Sequence, residues 1–247
     1  MLQKKVIIFI FSLLFFYSFL TGVFCADKAA SPDKEKLPRE EVQVRTMCML
    51  GEKVENFPFY VYQDGKSGGN KFFPTGTMGD FNSRQIDPYC NEFPHSGSSC
   101  IKITYESKAY QDYGWGGLYW QYPPNNWGDT DKAYDLSLAT KLTFWARGKY
   151  GGEVINKFQV GGITGKYHDS GVISVGPITL RKEWRKYTFD LTRMDSSIIF
   201  SEEDRGCWPF MNPLSRIMGG FCWATSLVVN NNKGITFYLD EIKFEKD

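Results

Sequence analysis

The sequence predicts an all-β fold, an antiparallel β-sandwich of the jelly-roll type, and three observations carry that prediction. From Phe57 onward the chain breaks into short apolar or alternating runs separated by Gly, Asn, Asp and Pro. No stretch sustains a 3.6-residue apolar period, so helices are not expected between the runs. Many strands joined by loop-length connections pack as antiparallel sheets face to face. An immunoglobulin-like sandwich is the nearest competitor, and both the chain length and the missing Cys and Trp core spacing argue against it.

The predicted strands run in order. FPFYVY (57 to 62) and CIKITYE (100 to 106) are aromatic and β-branched. In WGGLYWQY (115 to 122), alternation puts Leu118 and Trp120 on a core face and Trp115, Tyr119 and Gln121 on the open face. In TKLTFWARG (140 to 148), Leu142, Phe144 and Ala146 are core, while Lys141, Thr143, Trp145 and Arg147 point outward. EVINKFQVGG (153 to 162) buries Val154, Phe158 and Val160 and presents Glu153, Lys157 and Gln159. VISVGPITL (172 to 180), RKYTFDL (185 to 191), GGFCWAT (219 to 225) and GITFYLDEIKF (234 to 244) complete the set. If the 115, 140 and 153 strands are neighbours, they form one platform of rings fringed by hydrogen-bonding groups. A bulge in any of these glycine-rich strands inverts its facing.

The segment Tyr113 to Trp127, YGWGGLYWQYPPNNW, holds three tryptophans and three tyrosines among glycines and prolines. Flat, polar-tipped rings beside Gln121, Asn125 and Asn126 predict a surface that stacks on a ligand, with sugar rings the first candidate. The alternative is that the same rings fill the sandwich core.

The 247-residue chain opens on Lys4 and Lys5 followed by VIIFIFSLLFFYSFL. This block is short and flanked on one side by charge, as in a secretory signal peptide, with cleavage expected after Cys25. Lipidation of Cys25 is the lesser reading, because bulky Phe24 precedes it; an uncleaved anchor is a third. Residues 26 to about 41 are charged and Pro-containing, as in a flexible tether, and 26–56 serve as tether and lead-in to a single domain at 57–247. No membrane span is expected in the mature chain. Lys4 and Lys5 are the only charges in the first 25 residues, so cleavage leaves 27 basic against 28 acidic side chains. The balance is near neutral, so the strongly positive field that dominates nucleic-acid affinity is missing and nucleic acid is not the expected partner.

Export permits disulfides among Cys48, Cys90, Cys100, Cys207 and Cys222. Cys90 with Cys100, flanking NEFPHSGSS, is the first expected pair, worth roughly 2 to 3 kcal/mol on the chain-entropy estimate. Cys207 with Cys222 is the next. Zinc is not expected, since no C-x-x-C occurs and His95 and His168 lie in unrelated segments.

The series FPFYVYQDG, GWGGLYWQYPPNNWG, ATKLTFWARGKYGGE, FQVGGITGKYHDS, ITLRKEWRKYTFDLT, GGFCWATS and GITFYLDEIKF resembles the jelly-roll carbohydrate-binding modules, within the galactose-binding-like sandwiches. The resemblance spans nearly everything from Phe57 to Phe244. It implies a noncatalytic module that binds polysaccharide or oligosaccharide on the concave sheet or at rim loops; a separate glycan-active enzyme is a further candidate partner, which the sequence itself does not disclose. It also implies a structural calcium held by Asp64 and Asp240, with Asp80 a weaker third ligand; calcium takes several oxygen donors. The otherwise ordinary reading of Asp64-Gly65 is a turn. The long segment from Asp64 to Ser99 and CWPFMNP (207 to 213) depart from the plainest modules.

An enzyme on the same fold is the alternative. A glycoside hydrolase needs two carboxyls across the scissile bond; Glu153 and Asp169 are the acids next to the proposed face, while Glu202, Glu203 and Asp204 read as a solvated loop. A polysaccharide lyase would assemble His168, Tyr167, Arg147 and Asn126. A nucleophilic site is not expected, since neither histidine lies near a distinctive Ser or Cys. A third class is an adhesive protein that grips another protein through the aromatic patch. The favoured expectation is an exported, noncatalytic binder in which Trp115, Tyr119, Trp145 and Trp127 stack on pyranose faces while Gln121, Asn126, Arg147 and Gln159 read hydroxyls.

Overall fold

The computed structural model describes residues 48, 50–106, 108–195, 207 and 212–247. The expected signal peptide, most of the tether, Glu202, Glu203, Asp204 and most of the 207–213 segment lie outside the described residues.

Among the described residues there are fifteen strands: β1 (Glu52–Lys53), β2 (Phe59–Tyr62), β3 (Phe73–Gly79), β4 (Arg84–Cys90), β5 (Cys100–Tyr105), β6 (Trp115–Gln121), β7 (Tyr134–Asp135), β8 (Lys141–Gly148), β9 (Val154–Ile155), β10 (Lys157–Gly161), β11 (Val172–Val175), β12 (Ile178–Thr179), β13 (Arg185–Asp190), β14 (Gly219–Ser226) and β15 (Ile235–Glu245). They build two antiparallel sheets, a five-stranded one in the order β11-β10-β14-β6-β3 and a six-stranded one in the order β13-β8-β15-β5-β4, with β2 against β15. Short pairs β1-β7 and β9-β12 lie beside them. The predicted antiparallel sandwich is the architecture observed.

Inner faces carry the expected core. Leu118, Trp120, Phe158, Phe221 and Trp223 of the five-stranded sheet meet Ile101, Ile103, Leu142, Phe144, Phe237 and Leu239 of the other. Rings interlock across the gap, with Phe144 centred 5.0 Å from Phe221 and Trp223 5.2 Å from Phe237, edge to face in both cases. Each such fully buried ring contributes about 1.5–3 kcal/mol relative to leaving it exposed.

Several sequence expectations change. The 153–162 run divides into β9 and β10, and the 172–180 run into β11 and β12 at Gly176-Pro177, where proline has no N–H to give a ladder. The segment 64–99 contains β3 and β4, each hydrogen-bonded on one side only, where Pro74 and Pro88 are tolerated. The sandwich takes in residues before Phe57: Val54 is core, and Gly51 N–H bonds the Ser215 carbonyl. Cysteine pairing is also corrected. Cys48 is bonded to Cys207, whereas Cys90, Cys100 and Cys222 are buried thiols.

β15 fixes the centre of the six-stranded sheet. Residues 235–239 pair with β5, and beyond an irregularity at Asp240, residues 242–244 pair with β2. Glu241 there takes a left-handed φ of 45°. This break leaves Asp240 without a partner on the β5 and β2 side, while on the other side it still pairs with Trp145 of β8.

Candidate functional site

The outer face of the five-stranded sheet is arranged in cross-strand rows. Ser174, Gln159, Cys222, Tyr119 and Gly76 are successive partners in one row, and Lys157, Ala224, Gly117 and Met78 in the next. Ser226 pairs with Trp115 beyond them. The second row is a low floor. A Cβ on Gly117 would stand 2.6 Å from the Trp223 carbonyl oxygen and 2.8 Å from the Met78 methyl, so glycine is what keeps that floor flat.

Two rings rise beside this floor. Trp115, at the start of β6, is 39 % exposed; Trp127, in the loop after β6, is 37 % exposed and meets Tyr119 edge-on at 5.8 Å. Four residues of extended chain separate Trp115 from Tyr119, roughly 13 Å at the strand rise. The two indoles therefore bracket a strip rather than stack on each other. Lys157 Nζ reaches the strip edge, where it donates to Gln159 Oε1 at 2.8 Å.

The other predicted members of this face are built into the fold. Tyr119 is 5 % exposed; its hydroxyl donates to the Gly161 carbonyl at 3.0 Å and accepts from Gln159 Nε2. Burial pushes that phenol well above the usual tyrosine range. Gln159 Nε2 also donates to Gly161, so both ends of its amide are engaged. Tyr119 thus carries Trp127 rather than offering its own ring.

Gln121 and Asn126 are corrected from hydroxyl readers to loop anchors. Gln121, fully buried, donates to the Asn126 carbonyl at 2.9 Å and accepts from Thr75 Oγ1 at 3.0 Å. Asn126 Nδ2 donates to the carbonyls of Tyr122, Thr130 and Lys132, and its Oδ1 accepts from the N–H groups of Gly128, Asp129 and Thr130. Its amide has no capacity left for a ligand. What it does is close the loop from which Trp127 projects.

Trp145 and Arg147 point outward as alternation predicts, but from β8, in the opposite sheet. They cannot share a platform with Trp115. The imidazole of His95 stacks on Trp145 at 3.7 Å between ring centres and 19° between planes. The segment 92–96 lies over this face, and Trp184 Nε1 donates to the Phe93 carbonyl at 3.0 Å.

The carboxylates assigned to calcium by resemblance do not fit a cation. Asp240 accepts the N–H groups of His95, Ser96 and Glu241 at 2.8, 3.2 and 2.8 Å. Asp64 accepts Ser98 N–H at 2.7 Å, together with the hydroxyls of Ser98 and Ser99. Hydrogen-bond donors fill the places a hard cation would give to oxygen ligands. These donors, led by Ser98 N–H, hold the Asp64 carboxyl down to about 2, whereas burial lifts Asp240 to about 6. Asp80 is buried and accepts the N–H groups of Gln111 and Tyr113, apart from both. Among the described residues, no three His, Cys, Asp or Glu side chains are grouped to hold a metal.

The acid and base groups weighed for catalysis are likewise engaged within the fold. Asp169, fully buried, accepts from Ile163, Met218 and Gly219 N–H, and burial raises it to about 6. Glu153 is buried and accepts from Tyr150 N–H at 2.8 Å. His168 Nδ1 lies 2.9 Å from the Asp169 carbonyl oxygen, and Arg216 Nε donates to the His168 carbonyl at 2.6 Å. Arg147 belongs to the other sheet and Asn126 to the loop core, so the lyase constellation is not assembled.

No family model matches the sequence, and no curated protein matches it. Solved structures do. A crystal structure of a family 30 carbohydrate-binding module aligns over 78 % of this chain and 100 % of its own, at 12 % identity and a TM-score of 0.51. The family 30 module of a cellulosomal cellulase of Clostridium thermocellum covers 78 % and 99 % at 12 % identity, with a TM-score of 0.49. The family 11 module of another cellulosomal cellulase of that organism covers 75 % and 94 % at 16 % identity, with a TM-score of 0.44. The first match places the chain in the jelly-roll fold of carbohydrate-binding modules.

Proposed function

We propose that this chain is an exported, noncatalytic polysaccharide-binding protein that receives its glycan along the strip between Trp115 and Trp127. The observation that carries this reading is the pair of half-exposed indoles standing on either side of a floor flattened by Gly117 and Ala224. Pyranose rings present apolar C–H faces that stack on such indoles, and the ammonium of Lys157 supplies a donor for hydroxyls. Jelly-roll modules of known structure with this fold are described as carbohydrate-binding, which supports the substrate class. The apolar leader and the Cys48–Cys207 bridge support export. A separate glycan-active enzyme is the fitting partner.

The test is depletion of the purified protein from solution by a panel of insoluble and soluble polysaccharides, with reducing-end and unsaturated-product assays on the same samples. Binding without product, lost in Trp115→Ala with Trp127→Ala while the melting curve is retained, is the expected result. Product release, or undiminished binding by a folded double variant, defeats the reading.

A further inference from the structure

On the outer face of the six-stranded sheet, the Arg147 guanidinium lies 5.3 Å from the ring centre of Tyr238, 5.9 Å from Phe93 and 6.0 Å from Trp184. Its only hydrogen bond among the described residues is a 3.4 Å contact from Nε to the Gly148 carbonyl, and no carboxylate pairs with it there. A guanidinium offers five N–H donors in a planar fork that matches a carboxylate. Three rings shield it on several sides while it remains half-buried rather than sealed.

The adjacent position in the same row shows how this face holds an acid. Glu92 accepts from Lys102 Nζ at 2.7 Å and from the Tyr238 hydroxyl at 3.0 Å. Tyr238 is the cross-strand partner of both Lys102 and Arg147. A carboxylate therefore sits on one side of Tyr238, and on the other side stands a cation with none.

We propose that Arg147 centres a second binding site, for the carboxylates of an acidic polysaccharide of the polyuronate class. Such a polymer alternates a flat sugar face with a carboxylate, and this surface alternates rings with cations. Lys186, the cross-strand partner of Trp145, and Lys149, two residues beyond Arg147, have no ion pair among the described residues, so the surroundings complement a chain of negative charges. The near-neutral chain as a whole, at +1, disfavours a nucleic acid, whose capture draws on a strongly positive field. This site is independent of the strip between Trp115 and Trp127 and stands or falls without it.

The experiment is titration of the full chain with polygalacturonate at low and high salt. Binding should weaken at high salt, as screened charges require. Arg147→Gln should weaken it about tenfold or more, the scale of one charge-assisted bond. Arg147→Lys should fall between, keeping the charge and losing the fork. Lys149→Gln with Lys186→Gln, both exposed, should cost about threefold without touching the core. Trp115→Ala with Trp127→Ala should bind polygalacturonate like the parent. The proposal is overturned if folded Arg147→Gln and the lysine double variant bind like the parent, if binding is indifferent to salt, or if the tryptophan double variant abolishes it. Equal competition by an oligonucleotide of matched charge also overturns it, by showing unselective capture of polyanions.

Discussion

Asp240 and Asp64 grip one loop from two sides: Asp240 accepts His95 and Ser96 N–H, and Asp64 accepts Ser98 N–H two residues further on. Chain segments 176 positions apart in sequence thereby fix the backbone that carries His95 onto Trp145. Because these oxygens are satisfied by N–H and O–H donors, chelation of divalent metal with excess EDTA should leave the melting temperature unchanged. A fall of several degrees, reversed by added calcium, would show that a cation shares the clamp.

The same two acids carry opposite pH signatures. Asp240 is raised to about 6, so its folded form holds a proton that the unfolded chain releases near 4, and stability from this group declines as pH rises from about 4 to 6. Asp64 is lowered to about 2, and its contribution is lost as pH falls from about 4 toward 2. Melting curves of Asp240→Asn and the parent should converge in the parent's disfavour as pH rises through 4 to 6. A difference between them that does not vary with pH refutes the assignment.

Asn126 makes six hydrogen bonds within its own loop. Asn126→Ala leaves those groups unpaired and should destabilise the protein by about 2–4 kcal/mol, with glycan binding lost because Trp127 is no longer held. Limited proteolysis should cut between residues 124 and 132 in the variant and not in the parent. Unchanged stability would mean that the loop is held by other means.

Trp145→Ala should leave binding at the Trp115 strip unaffected, contrary to the expectation that β6 and β8 are neighbours in one platform. It removes the partner of His95 and should loosen the 92–98 segment, seen as faster amide exchange at His95 and Ser96. Loss of neutral-glycan binding with the fold intact would place Trp145 back in that site.

The Cys48–Cys207 bridge spans 159 residues, so its removal by Cys48→Ala should cost about 4–5 kcal/mol on the chain-entropy model. Alkylation after denaturation without reductant should mark Cys90, Cys100 and Cys222 and spare Cys48 and Cys207. Labelling of Cys48 would contradict the pairing.

Facing was legible in the sequence because the strand period is two: Leu118, Trp120, Leu142, Phe144 and Phe158 are all inside as the alternation requires. Sheet membership was not. β6 and β8 carry similar aromatic alternation, but which sheet each joins is set by pairing with β14 and β15, far away in sequence. β3 and β4 escaped notice because edge strands tolerate the prolines and charges that mark loops. The role of Asn126 depends on where the carbonyls of Tyr122, Thr130 and Lys132 converge, which composition does not record. Cys90 and Cys100 are indeed cross-strand partners, so their proximity was readable even though the bond lies elsewhere.

β15 occupies the middle of the six-stranded sheet and follows all of its partners, β2, β5 and β8, in the chain. Until residues 235–245 have been synthesised, those three strands have nothing to join them, and the sheet has no interior. The order of synthesis therefore withholds closure of the sandwich until β15 is available. For the same reason a truncation ahead of Ile235 removes a keystone rather than a fringe, and leaves exposed strand edges for quality control to find.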